Sequence, residues 1–258
     1  MTTIADPGYG RQFASFYDRL FPAGPDRDEA IDRLAILHGG GPALELGAGT
    51  GRIAIPLAER TGEVVALDSS AEMLDELAAQ RGTAPVEPVL GDMRAHRDDR
   101  EFGLVLCVLG TLSMATEDGG AEQTLQTCAQ AVAPNGSVVI ETHNPAFVEA
   151  LHEGRSQTTT FVPYPGRDTG LLSHSTLDLE GRHWRLSHIW FEDGRARIAT
   201  ESSRLLDPGE LDELAGAAGL TLVARHADWR GTPPAPTHPM VVSVYRPTHR
   251  VSVPESGW

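Results

Sequence analysis

Residues Leu44-Glu45-Leu46-Gly47-Ala48-Gly49-Thr50-Gly51-Arg52 constrain this chain more than any other stretch. A short run that can be a strand leads in. Ile53-Ala54-Ile55-Pro56-Leu57-Ala58-Glu59-Arg60 leads out and reads as a helix. Glycines at 47, 49 and 51 let the backbone turn sharply where a side chain would collide with a bound ligand. Val64-Val65-Ala66-Leu67-Asp68 follows and puts a carboxylate at a strand end about 20 residues beyond the loop. Such a carboxylate can accept hydrogen bonds from both hydroxyls of a ribose. Strand, glycine turn, helix, strand and acid together describe a nucleoside site on a parallel sheet.

The glycine spacing narrows the ligand. A dinucleotide site reads G-x-G-x-x-G, with a helix N-terminus facing a pyrophosphate. Here the spacing is G-x-G-x-G, and Glu45 precedes it. An acidic side chain at that place repels a pyrophosphate and attracts an ammonium. S-adenosyl-L-methionine (SAM) carries an ammonium, a sulfonium and a ribose, and no phosphate. Glu45 and Asp68 suit it better than they suit NAD.

The motifs that follow keep an order. E-L-G-A-G-T-G resembles the first motif of the class I SAM-dependent methyltransferases. A-L-D-S-S, with Asp68 and Ser69, resembles their ribose-binding strand end. L-G-D-M-R resembles the segment that holds adenine, which places Asp92 towards the exocyclic amine and Met93 against the ring. F-G-L-V-L-C-V-L-G resembles the fourth strand and, at Leu109, the loop under the transferred methyl; A-P-N-G-S-V-V-I-E resembles the fifth strand. Phe16-Tyr17-Asp18 resembles a segment that closes over the cofactor in several small-molecule members, where Tyr17 would meet the methionine carboxylate or simply pack its helix. The resemblance runs from about Tyr17 to Tyr245 and extends to bacterial enzymes that modify secondary metabolites and aminosugars. It implies methyl transfer to a nitrogen or oxygen of a small molecule. Some proteins of this fold instead bind SAM and promote a cyclisation or rearrangement without transferring methyl, and that alternative stays open.

The implied fold is α/β, a Rossmann-like seven-stranded mostly parallel sheet with helices on both faces and a final antiparallel hairpin. Residues 1–145 would hold the N-terminal helices and the cofactor-binding core. Tyr9 to Leu20 and Asp26 to Leu37 read as helices. Strands follow at 43–46, 63–67, 86–90, 103–108 and 137–142, with helices at 50–59, 70–80 and 119–132 between them. Roughly sixty residues then separate Asn144-Pro145 from the next helix start, far more than a usual connection. Four partly alternating runs fill that gap, and Glu180-Gly181 and Asp193-Gly194 read as hairpin turns. Residues 146–206 therefore read as an inserted antiparallel β segment after strand five, serving as a lid or as a homodimer interface. Asp207-Pro208-Gly209-Glu210 opens the last helix with a cap, a first-position proline and an acid three after the cap. Strands 220–226 and 240–246 complete residues 207–247, and 248–258 read as a loose tail.

Bulk properties exclude several roles. The net charge is −15, and the chain contains no lysine. No basic cluster offers itself to phosphates, which argues against a nucleic-acid substrate. No apolar run approaches the ~20 residues that span a bilayer, and the N-terminus lacks the pattern of a signal peptide. Two cysteines, Cys107 and Cys128, read as reduced thiols of a cytoplasmic protein. No H-x-x-x-H helix or cysteine pair supports a metal site.

Substrate should lie over the carboxyl ends of the strands. His143 follows strand five and is the candidate general base, with a structural histidine as its alternative. Thr111, after strand four, orients substrate or caps its loop. In the insert, alternation puts Trp184, Leu186, His188 and Trp190 on one face, read as core or dimer interface with a substrate wall as the alternative, and Tyr164 is a candidate substrate contact. Trp229 with Asp228 would overhang the site edge as an aromatic wall for a cationic amine, or form a loop turn.

Overall fold

A computed structural model describes residues 8–248 apart from 165 and 167. The expectations for the extreme N-terminus and for residues 249–258 lie outside the described residues. The first half runs α1 (Tyr9–Phe13), α2 (Tyr17–Leu20), α3 (Pro25–Leu37), β1 (Ala43–Leu46), α4 (Ala54–Thr61), β2 (Val64–Asp68), α5 (Ala71–Gln80), β3 (Val86–Leu90), β4 (Phe102–Cys107), α6 (Gly120–Ala131) and β5 (Val132–His143). Next come α7 (Pro145–His152), β6 (Gln157–Pro163), β7 (Gly170–Asp178), β8 (His183–Glu192) and β9 (Arg195–Arg204). The chain closes with α8 (Pro208–Ala217), β10 (Leu220–His226) and β11 (Met240–Pro247).

Seven strands form one sheet in the order β10-β11-β5-β4-β1-β2-β3. Its first five strands in chain order are parallel, and β11 joins β5 and β10 antiparallel. Strand alternation divides the core into two layers. Ala43, Val64 and Leu104 pack with Ile31, Leu34 and Leu57 on one face. Leu44, Val65 and Val105 pack with Leu125 and Leu211 on the other. Pro88 sits inside β3, which is tolerated because β3 is an edge strand.

The segment after β5 makes a separate four-stranded antiparallel sheet, β6-β7-β8-β9. Trp184, His188 and Trp190 are buried, so the alternation read from β8 holds and that face is core. Trp190 packs with Phe13, Phe16 and Leu20, whereas Trp184 packs with Val148, Leu177 and Leu205. The N-terminal arm, α1 and α2, is thus clasped between the insert and helix α5.

Several boundaries differ from expectation for local reasons. The arm is not one helix: a 3₁₀ turn at Ala14–Phe16 separates α1 from α2, and Phe16 leaves helical geometry at φ −140°. The break lets Phe13 and Phe16 pack with Trp190 of the insert, with Tyr17 at the edge of the same cluster. Helix α4 starts at Ala54, not at residue 50, because Gly51 has φ +85°. Helix α7 is an addition to the expected elements; Asn144 caps it through Ala146 N (3.2 Å) and Pro145 occupies its first position. The β8–β9 turn is as read, with Asp193 and Gly194 at φ +51° and +71°. Between β7 and β8 the left-handed residue is Arg182 (φ +53°), and Asp178 Oδ1 accepts from Glu180 N and Gly181 N. At α8 the expected capping box is absent. Asp207 and Glu210 instead pair with Arg182, and Glu210 also pairs with Arg204.

Candidate active site

The strand order reverses at β1, which has β2 on one side and β4 on the other. A crevice must open there at the carboxyl ends. It holds a cavity of about 430 Å³. The glycine loop forms its floor. Gly47 N and Ala48 N donate to Leu67 O at 2.8 and 2.9 Å. Asp68 Oδ2 accepts from Gly49 N at 2.8 Å, and Oδ1 accepts from Ser70 N at 2.9 Å. Asp68 therefore fastens the loop to the end of β2. Gly47 has φ +78°, and a Cβ there would stand 2.2 Å from Thr111 Cγ2. Only glycine fits that place.

Glu45 lies in the middle of β1, yet it is a carboxylate in a hydrophobic layer. It is 2% exposed, and its Oε2 has no hydrogen-bond partner. Burial, and then the charge of Asp68, push its pKa well up; a hydrogen bond from the Ala54 backbone opposes them. A buried unpaired carboxylate costs several kcal/mol. Fully buried neighbours such as Leu44, Leu46 and Leu57, each contributing about 1.5–3 kcal/mol, offset that cost.

The arm forms one side of the roof. Thr50 Oγ1 and Gln80 Nε2 donate to the two oxygens of Asp18, at 2.8 and 2.7 Å. Asp18 so pins the arm to the glycine loop and to α5. Gly10 lies against the start of α5, where a Cβ would fall 2.1 Å from Ser70 Oγ. Tyr9 and Tyr17 turn into the cavity, as does Arg52, whose Nη1 donates to Phe21 O. Burial raises the pKa of Tyr17, and Arg52 works against it.

The opposite wall comes from the ends of β4 and β5. Leu109 is a non-glycine residue at φ +57°, a conformation that costs about 1–3 kcal/mol unless its surroundings impose it. Glu141 imposes it: Oε2 accepts from Leu109 N at 2.7 Å, and the Glu141 carbonyl accepts from Gly110 N. The other oxygen, Oε1, accepts from Trp229 Nε1 at 3.0 Å. His143 lies against Gly110, where a Cβ would come within 2.7 Å of its Nε2, and edge-on to Trp184 at 4.9 Å. Burial lowers its pKa, with Glu201 opposing, so the ring is neutral at neutral pH.

A family model described as a methyltransferase domain matches residues 43–136. The solved CcbJ methyltransferase of Streptomyces caelestis is similar throughout: 32% identity, 93% of this chain and 98% of that chain, TM-score 0.82. The chain belongs to the class I SAM-dependent methyltransferases. Among curated proteins, a dTDP-3-amino-3,6-dideoxy-α-D-glucopyranose N,N-dimethyltransferase of Streptomyces fradiae is 29% identical over 174 residues, which are 62% of this chain and 67% of that one. SAM-bound CalS10, an amino pentose methyltransferase from Micromonospora echinaspora, shares the fold at 21% identity and TM-score 0.69, covering 90% of this chain and 94% of that one.

The methyltransferase cavity fits its cofactor. The orphaned Glu45 oxygen faces it and calls for a cation. The wall includes Tyr17, Glu45, Gly47, Ala48, Gly49, Asp68, Ser69, Asp92, Met93, Leu109, Thr111 and His143. Asp92 meets Arg94 in a two-pronged pair (2.9 and 2.6 Å), which holds its carboxyl below the usual range. Thr111 donates its hydroxyl to Val108 O at 2.8 Å, so it caps its own loop.

Two expected substrate contacts lie elsewhere. Tyr164 does not line the cavity of the methyltransferase; its hydroxyl donates to Leu20 O at 3.1 Å and its ring stacks edge-on against Trp190. Its aromatic ring serves the core between arm and insert. Trp229 packs on the main core and holds Glu141, while Asp228 accepts from Arg230 N, Thr232 N and Thr232 Oγ1 as a loop turn. Local sequence could not show this, because the bond from Trp229 to Glu141 joins positions far apart in the chain. Sequence reasoning also passed over Tyr9, Arg52, Glu117 and Glu201, all in the cavity wall. Arg52 closes the glycine motif itself and could have been found there. Glu201 carries no local signal.

Among the described residues, no helix is long and apolar enough to cross a membrane. Cys107 and Cys128 are free and buried.

Proposed function

We propose that this enzyme methylates a nitrogen or oxygen nucleophile of a small natural-product acceptor, in a compartment that keeps its thiols reduced. The observation that carries this reading is the cavity itself. It is walled by the chain's own arm and insert, which suits a compact acceptor. The names of relatives that act on amino sugars support the same class. The insert acts as a lid, since Glu201 and Ser203 of β9 line the cavity.

In this reading Glu45 holds the ammonium of SAM, and Arg52 and Tyr17 hold its carboxylate. Asp68 takes the ribose hydroxyls, Asp92 and Met93 take the adenine, and Ala48, Gly49 and Ser69 provide backbone contacts. When bound, the cofactor supplies a methyl already activated by its sulfonium, so the protein's main work is alignment. Leu109 and Gly110, fixed by Glu141, shape the wall beside the reacting centre. His143 accepts a proton from the acceptor, which frees its lone pair for in-line attack.

The test is incubation with methyl-labelled SAM and a panel of aminosugars, phenols and amino acids. Label in an acceptor, with S-adenosylhomocysteine formed in equal amount, supports the reading. Product that is rearranged but unlabelled overturns it. For the site, Asp68→Ala should weaken SAM binding by roughly 1–3 kcal/mol through loss of charge-assisted bonds. Unchanged affinity in calorimetry would remove the ribose assignment.

A further inference from the structure

The cavity wall holds five carboxylates, Glu45, Asp68, Asp92, Glu117 and Glu201, against two guanidiniums, Arg52 and Arg94. Their partners separate them. Arg94 pairs with both Asp92 (2.6 Å) and Glu117 (3.0 Å). Asp68 fastens the glycine loop, and Glu45 sits below it in β1. Glu201 stands apart, because it enters from the roof on β9.

Glu201 is built in. Its side chain is 16% exposed, and Oε1 lies 3.5 Å from His188 Nε2. The other ring nitrogen, His188 Nδ1, meets Ser173 Oγ at 3.0 Å. Phe13 and Phe21 stand edge-on to the imidazole at 5.8 and 6.3 Å. Two aromatic rings pack against the imidazole, and each ring nitrogen has a polar neighbour, so His188 is placed to support Glu201. No hydrogen bond or ion pair to Glu201 Oε2 occurs among the described residues. Tyr9, Tyr17, His143 and His188 are the titratable groups that feel this carboxylate from the arm, from β5 and from β8.

We infer that Glu201, positioned by His188, is the acceptor-nitrogen subsite of this methyltransferase, and that the acceptor is an amine. The inference rests on the methyl-transfer reading and adds the substrate class. The charge balance of the step favours it. A neutral amine lone pair forms the new N–C bond as the C–S bond breaks, and the bonding pair stays on sulfur. Positive charge therefore leaves sulfur and appears on nitrogen. A carboxylate on the acceptor side stabilises that developing charge, and also gathers the protonated amine before His143 takes its proton. A hydroxyl acceptor ends neutral, so it offers Glu201 no persisting positive charge to stabilise.

The experiment compares wild type with Glu201→Gln, His188→Leu and His188→Gln. Probes are two matched pairs, glucosamine with glucose and tyramine with 4-hydroxyphenethyl alcohol. Methyl transfer is followed with labelled SAM, and amine binding is followed by calorimetry in saturating S-adenosylhomocysteine. Expected is transfer to at least one amine and not to its hydroxyl partner. Glu201→Gln should cut kcat/KM for that amine about 100-fold, with KM and kcat both affected and SAM affinity unchanged. His188→Leu should do nearly the same, and His188→Gln, which keeps a donor, should recover most of the loss. Transfer to hydroxyl probes alone overturns the inference and leaves the methyl-transfer reading standing. Amine transfer indifferent to Glu201→Gln does the same. Amine binding that needs Glu201, with no transfer, sinks the methyl-transfer reading and keeps the subsite. Absence of both binding and transfer, for both amines, overturns the subsite.

Discussion

The floor of the cavity is held by backbone, whereas its roof is held by side chains that reach across long stretches of chain. In the floor, Gly47, Ala48 and Gly49 bond to Leu67 O and to Asp68, all within one βαβ unit. In the roof, Asp18 reaches Thr50 and Gln80, Tyr164 reaches Leu20, and Thr200 N donates to Gln12 Oε1. The floor can be rigid before any ligand arrives. The roof depends on contacts that can break singly, as an entry path for two ligands requires.

The sharpest way to break the floor is Gly47→Ala. Its Cβ meets Thr111 Cγ2 at 2.2 Å in a left-handed conformation, so the loop and the strand-four turn must both move. Loss of SAM affinity by more than about 1,000-fold is expected, with a clear fall in melting temperature. Calorimetry showing near-normal binding would mean that the floor is not rigid at all.

His143 tests the boundary between the halves. His143→Gln should lower turnover about 100-fold and leave SAM affinity near normal. Burial also gives this group a pH signature, because its pKa in the folded protein lies below the ordinary ~6.5. Between those two values the unfolded chain holds the proton and the native one does not. Stability therefore rises with pH across that window, and His143→Gln should flatten the rise in denaturant titrations. Full turnover in the variant would place the base elsewhere.

The same contrast governs what the sequence made legible. The floor is local: glycine spacing, Glu45 and Asp68 fall within one short stretch, and each has a physical reason to be that residue. Strands β1, β3 and β10 were bounded as observed, because apolar runs end at turn residues. The roof is non-local. Period-two patterning showed which face of β8 is buried, but it could not tell that Glu201 would line the same cavity as Tyr17 and His143. Tyr164 and Trp229 were misplaced for the same reason. An aromatic residue reads alike in sequence whether it walls a pocket or fills a core. Helix α7 was missed, although Asn144-Pro145 carries the same opening chemistry as Asp207-Pro208, where a helix was expected.

Glu45 sharpens the account of the floor. Burial keeps its carboxyl protonated above the ordinary range in the cofactor-free protein. Between the ordinary and the folded values the native state binds the extra proton, so this group lowers stability as pH rises through that window. An arriving ammonium restores the ionised form and expels the proton. SAM affinity should thus fall as pH drops, and calorimetry in buffers of different ionisation heat should register proton release. Glu45→Gln should weaken binding about tenfold and abolish the release. Release that persists in the variant would assign the proton to another group.

Trp229→Phe makes the smallest change and asks whether the wall beside the reacting centre is held like the floor or like the roof. The ring volume is largely kept, and one hydrogen bond to Glu141 Oε1 is lost. That alone should cost about 1 kcal/mol, with some of the burial penalty on Glu141 now uncompensated. Glu141 would still accept from Leu109 N, so Leu109 should keep its left-handed turn and activity should fall only a few-fold. Adding Leu109→Gly removes the strain that this bond sustains. If Glu141 is the clamp, the double variant should regain stability while its turnover drops further, because a relaxed glycine no longer fixes the wall. Stability and turnover moving together would show that the turn is set by its own backbone, as in the floor.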